Sequence, residues 1–337
     1  MTQNKINLLL KILSCKKCKK SYSFDTNFFQ CTNCEDQIFF NDDILYCLKR
    51  KKENSRLEID NEETFGFEWE KYQHWGFYDI KKTDKKYLEH HGGTIEDTKQ
   101  AYISKCRLDK SDIQNKIVMD AGCGNGRYTN ETMRIADSNC YMISIDASIS
   151  ALKIAKQNNY INADKIIFIN ASLDDLPIDK NSIDSIFSNG VIMHTKNPYN
   201  SFRELARILK KDGVIVINVY QKLNIFFEII NKSIRFITTR LGNKHNILFS
   251  KFMSKIALKA KKIPKLLEFL NIFFRLQTTS HHMFDWYSAK IVHHHDLNEI
   301  TSWYLKNKIQ PLDNLKNFNK GYFKKKWAIN LKGKKVS

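Results

Sequence analysis

The chain of 337 residues is predicted to fold as a doubly wound, mostly parallel α/β sheet, preceded by a small metal-held ribbon and interrupted by a helical insertion. Three observations carry this expectation. Residues 117–129 read as an apolar run, an acid and three alternating glycines before a helical pattern, which is strand, tight turn and helix. Residues 139–145 read as a second buried strand that ends in Asp146, 20 residues after Gly126. Further buried strands follow at 165–170, 182–188 and 214–219, with a helix at 199–210 and a Lys211-Asp212-Gly213 turn before the last.

The glycine turn comes first because it names a ligand class. Gly122, Gly124 and Gly126 supply backbone conformations closed to residues with a Cβ and let a ligand approach the main chain. A dinucleotide fingerprint would place its third glycine at 127, where this chain has Arg127. Asp120, two residues before the first glycine, opposes a pyrophosphate and suits a cationic ligand with an amino group. The stretch resembles motif I of the class I S-adenosylmethionine-dependent methyltransferases, with a type 11-like core. That resemblance implies a Rossmann-like sheet of seven strands and S-adenosylmethionine as cofactor, held by Asp120, Gly122, Cys123, Gly124, Asn125 and Gly126. Asp146, followed by Ala147, stands at a strand's carboxyl end, placed to accept both ribose hydroxyls. The segment 171–177 is expected to close over the adenine; Ser172 stands where the family usually has an acid, with Leu173 and Asp174 beside it.

After the fourth strand, Asn189 opens a run through Pro198 that looks like the family's Gly-Val-Leu-His-His-Thr-Pro type of segment, with Met193 in place of the first histidine. His194 is the candidate general base, against the alternative of a core histidine. No Asn/Asp-Pro-Pro-Tyr signature of amino-group methylation on bases or glutamines occurs, since Ser188-Asn189-Gly190-Val191 takes that place.

Upstream, Cys15-Lys-Lys-Cys18 and Cys31-Thr-Asn-Cys34 are two C-x2-C knuckles separated by 12 residues. Such a pair brings four thiolates around Zn²⁺, and a segment this short needs the metal to fold. Four sulfur ligands leave no open coordination position, so the metal is expected to be structural. A ribbon before a Phe65-Gly66-Phe67-Glu68-Trp69 segment resembles a set of bacterial methyltransferases better than the rRNA guanine methyltransferases whose finger ends in histidine.

Residues 51–63 are mostly charged and read as a linker, and 65–78 are crowded with Phe65, Phe67, Trp69, Tyr72, Trp75, Phe77 and Tyr78, which either cap the core or wall a pocket. A helix is expected over 95–108. After the fifth strand, residues 221–275 carry twelve Lys or Arg against Glu228 and Glu268, interleaved with apolar residues. This is a basic amphipathic insertion where the family places its substrate lid; a solvated face, an anionic substrate, RNA and a membrane surface all stay open. His281, His282, Asp285, Tyr287, His293 and His294 are the acceptor-side candidates, their spacing matching no metal-ligand set. Residues 297–307 read as a helix and 321–331 as a closing strand pair. The expected boundaries are therefore 1–50 for the ribbon, 51–110 for linker and cap, 111–220 for the cofactor core, 221–296 for the lid and 297–337 for completion of the sheet.

The net charge of +19 rests on 45 lysines against 10 arginines, a bias that speaks less for nucleic-acid reading than arginine would. Eight cysteines argue for metal or free thiols in a reducing compartment. No apolar run approaches the roughly 18 residues of a membrane span, and Lys11 interrupts the short apolar start, so a soluble, cytoplasmic protein is expected. The function expected is methyl transfer to an oxygen or nitrogen of a small-molecule or cell-envelope metabolite; the alternative is an RNA methyltransferase that binds RNA through ribbon and insertion.

Overall fold

In a computed structural model, described over residues 1–48, 56–77, 95–160, 162–313 and 327–336 with backbone alone at 95–97, the apolar runs pair into one sheet. Its centre is parallel: β5 (Ile117–Ala121), β6 (Tyr141–Asp146), β7 (Ile166–Asn170), β8 (Ile183–Asn189) and β9 (Leu209–Tyr220) stand in the order β7-β6-β5-β8-β9. β11 (Ala328–Lys335) pairs antiparallel to β9, and β10 (Ile309–Pro311) to β11. Strands covered by helices on both faces need apolar side chains at every position, which is why β7 is buried throughout as Ile-Ile-Phe-Ile-Asn. The strand order reverses between β5 and β8, so a crevice opens outside their carboxyl ends.

The sheet has eleven strands where seven were expected. The additional four are the ribbon's own: β1 (Tyr22–Asp25), β2 (Phe28–Cys31), β3 (Gln37–Asn41) and β4 (Ile44–Tyr46) form an antiparallel run, and β4 pairs in parallel with β7. Ile44 and Leu45 are fully buried there and cover an edge of the parallel sheet that would otherwise stand open. Helix α1 (Gln3–Ile12) lays Ile6, Leu9 and Ile12 on the main core.

Two expectations about loops are corrected. Of the expected linker, 51–55 lie outside the described residues, but α2 (Arg56–Lys71) is a helix. Its buried positions, Asn61, Thr64, Gly66 and Glu68, are polar or small because the helix covers a polar crevice, so no apolar period announced it. The expected Lys211–Gly213 turn is a bulge inside β9, where Ile183 pairs with Leu209 but Ser185 with Val214. Tyr78 of the aromatic run and 321–326 of the closing strand pair lie outside the described residues.

The remaining helices are α3 (Ile95–Lys105), α4 (Lys110–Ile113), α5 (Arg127–Ile135), α6 (Ile149–Asn158), α7 (Pro198–Ile208), α8 (Ile225–Thr238), α9 (Asn243–Lys261), α10 (Leu266–Leu270), α11 (Ser280–Ser288) and α12 (Leu297–Lys306). Helices α8 to α11 make up the insertion. It is no loose flap: Phe227, Met283, Trp286 and Tyr287 belong to the same buried cluster as the sheet residues Ile143 and Ile217. Among the described residues no helix is long and apolar enough to cross a membrane.

Candidate active site

A cavity of about 680 Å³ is lined by residues from the carboxyl ends of β5, β6 and β8, together with residues of α2, α11 and the segment before α11. Gly122, Gly124 and Gly126 follow β5 with φ of 90°, 53° and 81°, the left-handed region that favours glycine. A Cβ on Gly124 would also stand 2.6 Å from the Trp69 ring, so this glycine is required by packing as well as by torsion. Asn125 lines the same wall and ties the loop to the segment after α2, its Nδ2 donating to the carbonyls of Gln73 (3.1 Å) and Trp75 (2.8 Å).

Asp146 ends β6 on the cavity wall beside Ala147, with Cys123 opposite in the lining. Its Oδ2 accepts from the Gly124 amide and its Oδ1 from the Ser148 amide, both at 2.9 Å. Burial raises its carboxyl above the usual range, and these N–H donors oppose the shift. Asp120, expected to meet the ligand, is 2% exposed and does not line the cavity. Its Oδ2 accepts from the Thr129 hydroxyl at 2.8 Å, under the loop, and burial pushes its pKa to about 7.

Ser172, Leu173 and Asp174 line another part of the wall. Asp174 is committed in part to Ser201, whose hydroxyl donates to it, and burial holds its carboxyl above the usual range. Asn189, at the end of β8, keeps its buried Oδ1 without a partner among the described residues.

His194 lines the cavity at 6% exposure, edge-on to Phe65 and Tyr220. Its Nδ1 lies 2.8 Å from the Ile291 carbonyl, a contact that only an Nδ1–H can make, and burial lowers its pKa to about 4. The ring is therefore neutral with Nε2 as its acceptor, and that atom has no partner among the described residues.

Three of the acceptor-side candidates, His281, His282 and Asp285, line the cavity from α11. His281 stacks on Trp75 at 4.3 Å and places Nε2 3.1 Å from Oε1 of Glu68, whose carboxyl is pushed well above its usual range by burial and by the Asp285 charge. Asp285 accepts from the Tyr220 hydroxyl at 2.9 Å. The other three candidates do not reach the cavity. Tyr287 is 1% exposed in the core, with its hydroxyl accepting from the Arg275 amide; His294 stacks on Trp286 and pairs with Glu228 at 2.7 Å; and His293 is held by its amide on the Met193 carbonyl. Adjacent histidines on one extended segment point to different sides, which the sequence run hides.

The structure adds cations that sequence reasoning passed over. Lys105, Arg127 and Arg275 line the same cavity. Arg127 stacks over Trp75 at 3.8 Å and donates to the Tyr128 hydroxyl. Lys105 is lowered to about 8 by burial and by Arg127. Arg275 stands 4.0 Å over the Trp286 ring, and its buried Nε and Nη1 find no acceptor among the described residues. Together, after burial, the three cations help lower His282 to about 3. A scarce arginine after Phe273-Phe274 in a lysine-rich insertion was the available signal.

Away from this cavity, Cys15, Cys18, Cys31 and Cys34 gather their Sγ atoms within 4.8 Å of one another. The closest pairs are 3.4, 3.6 and 3.7 Å apart. A tetrahedron with Zn–S bonds of about 2.3 Å has edges of about 3.8 Å, so the donor set fits zinc in both chemistry and size.

A family model described as a methyltransferase domain matches residues 119–217. The chain is 29% identical over 107 residues to a tRNA U34 carboxymethyltransferase of Pseudoalteromonas atlantica, covering 31% of this chain and 32% of that protein. It is 27% identical over 157 residues to the protein of that name from Photobacterium profundum, covering 44% of each. The chain thus spans less than half the length of these curated relatives. The solved structure of geranyl diphosphate C-methyltransferase from Streptomyces coelicolor aligns over 85% of this chain and all of that one (100%), with a TM-score of 0.50 and 11% identity, a likeness of fold. Residues 119–217 therefore match a methyltransferase domain, set in the Rossmann-like α/β fold of the class I S-adenosylmethionine-dependent methyltransferases, with a four-cysteine cluster ahead of it.

Proposed function

We propose that the protein transfers a methyl group from S-adenosylmethionine to an oxygen or nitrogen of a small-molecule or cell-envelope metabolite that carries an anionic group. The observation behind this reading is that the glycine loop and Asp146 share one cavity with the Arg275 guanidinium, whose Nε and Nη1 lack acceptors among the described residues. Buried guanidinium N–H groups without acceptors are costly, and a carboxylate or phosphate of the acceptor would satisfy these two in two-pronged fashion. Gly122 to Asn125 on the cavity wall and the acceptor sites left on Asp146 suit the cofactor's amino acid and ribose parts. When bound, the cofactor supplies a methyl on a sulfonium, open to in-line attack. Arg275 and Lys105 hold the acceptor's anion, and the walls of Trp69, Trp75 and Phe65 exclude water. His194 takes the acceptor's proton on Nε2, its Nδ1–H kept in place by Ile291.

In this reading 1–50 is a ribbon held by Zn²⁺ on Cys15, Cys18, Cys31 and Cys34, 111–220 the cofactor core and 221–296 the acceptor-side cover. Four cysteines on zinc and four outside any disulfide support a reducing, cytoplasmic setting.

The test is transfer of labelled methyl into a panel of small carboxylates and phosphates and into bulk tRNA, with the wild type and Arg275→Met. Labelling of a small anionic acceptor that fails in the variant, with S-adenosylhomocysteine affinity unchanged, is expected. RNA methylation is the second reading, favoured by the names of the curated relatives and the +19 charge. Labelled tRNA with unlabelled small acids, in a reaction that weakens steeply with salt, would put it first.

A further inference from the structure

Helix α8 carries a second apolar face on its outside. Its buried positions are Phe227, Glu228, Asn231 and Thr238, while Ile225, Phe226, Ile229, Phe236 and Ile237 are all more than half exposed, Phe226 at 67% and Phe236 at 63%. The positions 225, 226, 229, 232, 233, 236, 237 and 240 fall on one stripe of a helix, so the exposed face is apolar along its length, with Lys232 and Arg240 as its charges.

The orientation is locked from within. Asn231 Oδ1 accepts from Trp286 Nε1 at 2.8 Å, and the Thr238 hydroxyl donates to the Tyr287 carbonyl at 2.6 Å. Arg235 donates to the carbonyls of Trp286 and Ala289, and Glu228 pairs with His294. Rotating the helix to bury its outer phenylalanines would carry these side chains out to water and leave Trp286 Nε1, the carbonyls of Trp286, Tyr287 and Ala289, and His294 buried without them, at the cost of unsatisfied buried polar atoms. Helix α9 packs on α11; it buries Asn246, Ile247, Ser250, Ser254, Ala257 and Ala260 and leaves Leu248 and Phe252 exposed among lysines.

Exposed apolar area on this scale marks a docking surface, and charge selects what docks. Across 221–275 there are twelve basic residues and two acids; Arg235, Arg275 and Glu228 are turned inward, which leaves ten cations outward against Glu268. A second copy of the chain would bring these like charges together. An RNA would satisfy the lysines and leave the phenylalanines against phosphates. An anionic lipid surface satisfies both, with apolar side chains entering the acyl boundary and lysine stems reaching back to the head groups. Arg240 already lies 3.6 Å over the Phe236 ring, the fold-back that a charge beside a buried aromatic requires. Neither helix is long and apolar enough to span a bilayer, so contact is in its plane.

We propose that the outward face of α8, extended by the lysines of α9, docks this protein on an anionic membrane surface. The same insertion supplies Arg275, His281, His282 and Asp285 to the cavity, so docking would bring that cavity to acceptors held at the surface.

The test is co-sedimentation of the full chain with phosphatidylcholine vesicles, with and without phosphatidylglycerol, at low and high salt. Binding to the anionic vesicles alone is expected, reduced but not abolished by salt. Phe226→Ser with Phe236→Ser, and separately Lys232→Glu with Arg240→Glu, are each expected to lower the bound fraction by about tenfold or more. S-adenosylhomocysteine affinity, read by calorimetry, reports that the variants are folded and separates this test from that of the methyl-transfer reading. Absence of wild-type binding, or binding unchanged in both variants, overturns the proposal. So does a serine variant that loses self-association or tRNA retention while its vesicle binding stays as in the wild type.

Discussion

Replacing Asp146 by alanine tests the cofactor reading at its most exposed point. Each carboxylate oxygen already accepts one backbone N–H, from Gly124 and from Ser148, at 2.9 Å. Lone pairs remain on the two oxygens to accept from the hydroxyls of a ribose. Hydrogen bonds to a charged acceptor contribute about 1.5 to 3 kcal/mol each, so losing both is expected to weaken S-adenosylhomocysteine by about 3 to 6 kcal/mol, a hundredfold or more. The same change orphans the Gly124 and Ser148 amides, a destabilisation of about 1 to 3 kcal/mol each that release of a buried carboxylate partly offsets. Calorimetry gives the affinity and a thermal melt without ligand gives the second effect. Asp146→Asn, which keeps the shape and one acceptor, should fall between. A folded Asp146→Ala protein with affinity within about threefold of wild type would refute the assignment.

Elemental analysis is expected to find one zinc per chain, lost on changing Cys15, Cys18, Cys31 and Cys34 to serine together; because β4 covers the β7 edge, the apo ribbon should also lower the melting temperature of the sheet domain. Zinc retained in the fourfold variant would place the metal elsewhere. Acid is expected to destabilise the fold through His194. Its pKa is about 4 when folded against about 6.5 unfolded, so the unfolded state binds the extra proton, and about 3 kcal/mol present above pH 6.5 is lost as pH falls through 4. Asp120, raised to about 7, acts in the opposite sense over the same window. The comparison is therefore between wild type and His194→Gln, in which the acid-induced loss should shrink; equal pH slopes would contradict the buried neutral ring.

The parallel core was legible because its signals are local. Continuous apolar strands, glycines required at φ of 53° to 90°, and an acid 20 residues beyond the loop are each consequences of short-range backbone geometry. The two C-x2-C knuckles are equally local, and they come together as four sulfurs in one place.

What tertiary structure alone decided is everything carried by pairs of residues far apart in sequence. Glu68, Lys105 and Arg275 share a cavity only because α2, α3 and the insertion converge on one crevice, and no spacing in the chain encodes that. The edge pairing of β4 with β7 joins residues more than a hundred positions apart, Ile44 with Phe168. Helix α2 escaped pattern reading, and α8 was expected as a helix but not which side faces in, for one reason: the apolar-inward rule assumes a helix packs on an apolar core, and both turn polar side chains inward. In α2 they cover a crevice, and in α8 they meet the carbonyls and rings of α11. Sequence by itself determines which strands exist and where a ligand loop must turn; which face of a helix is inside depends on what it packs against, and only the folded chain supplies that.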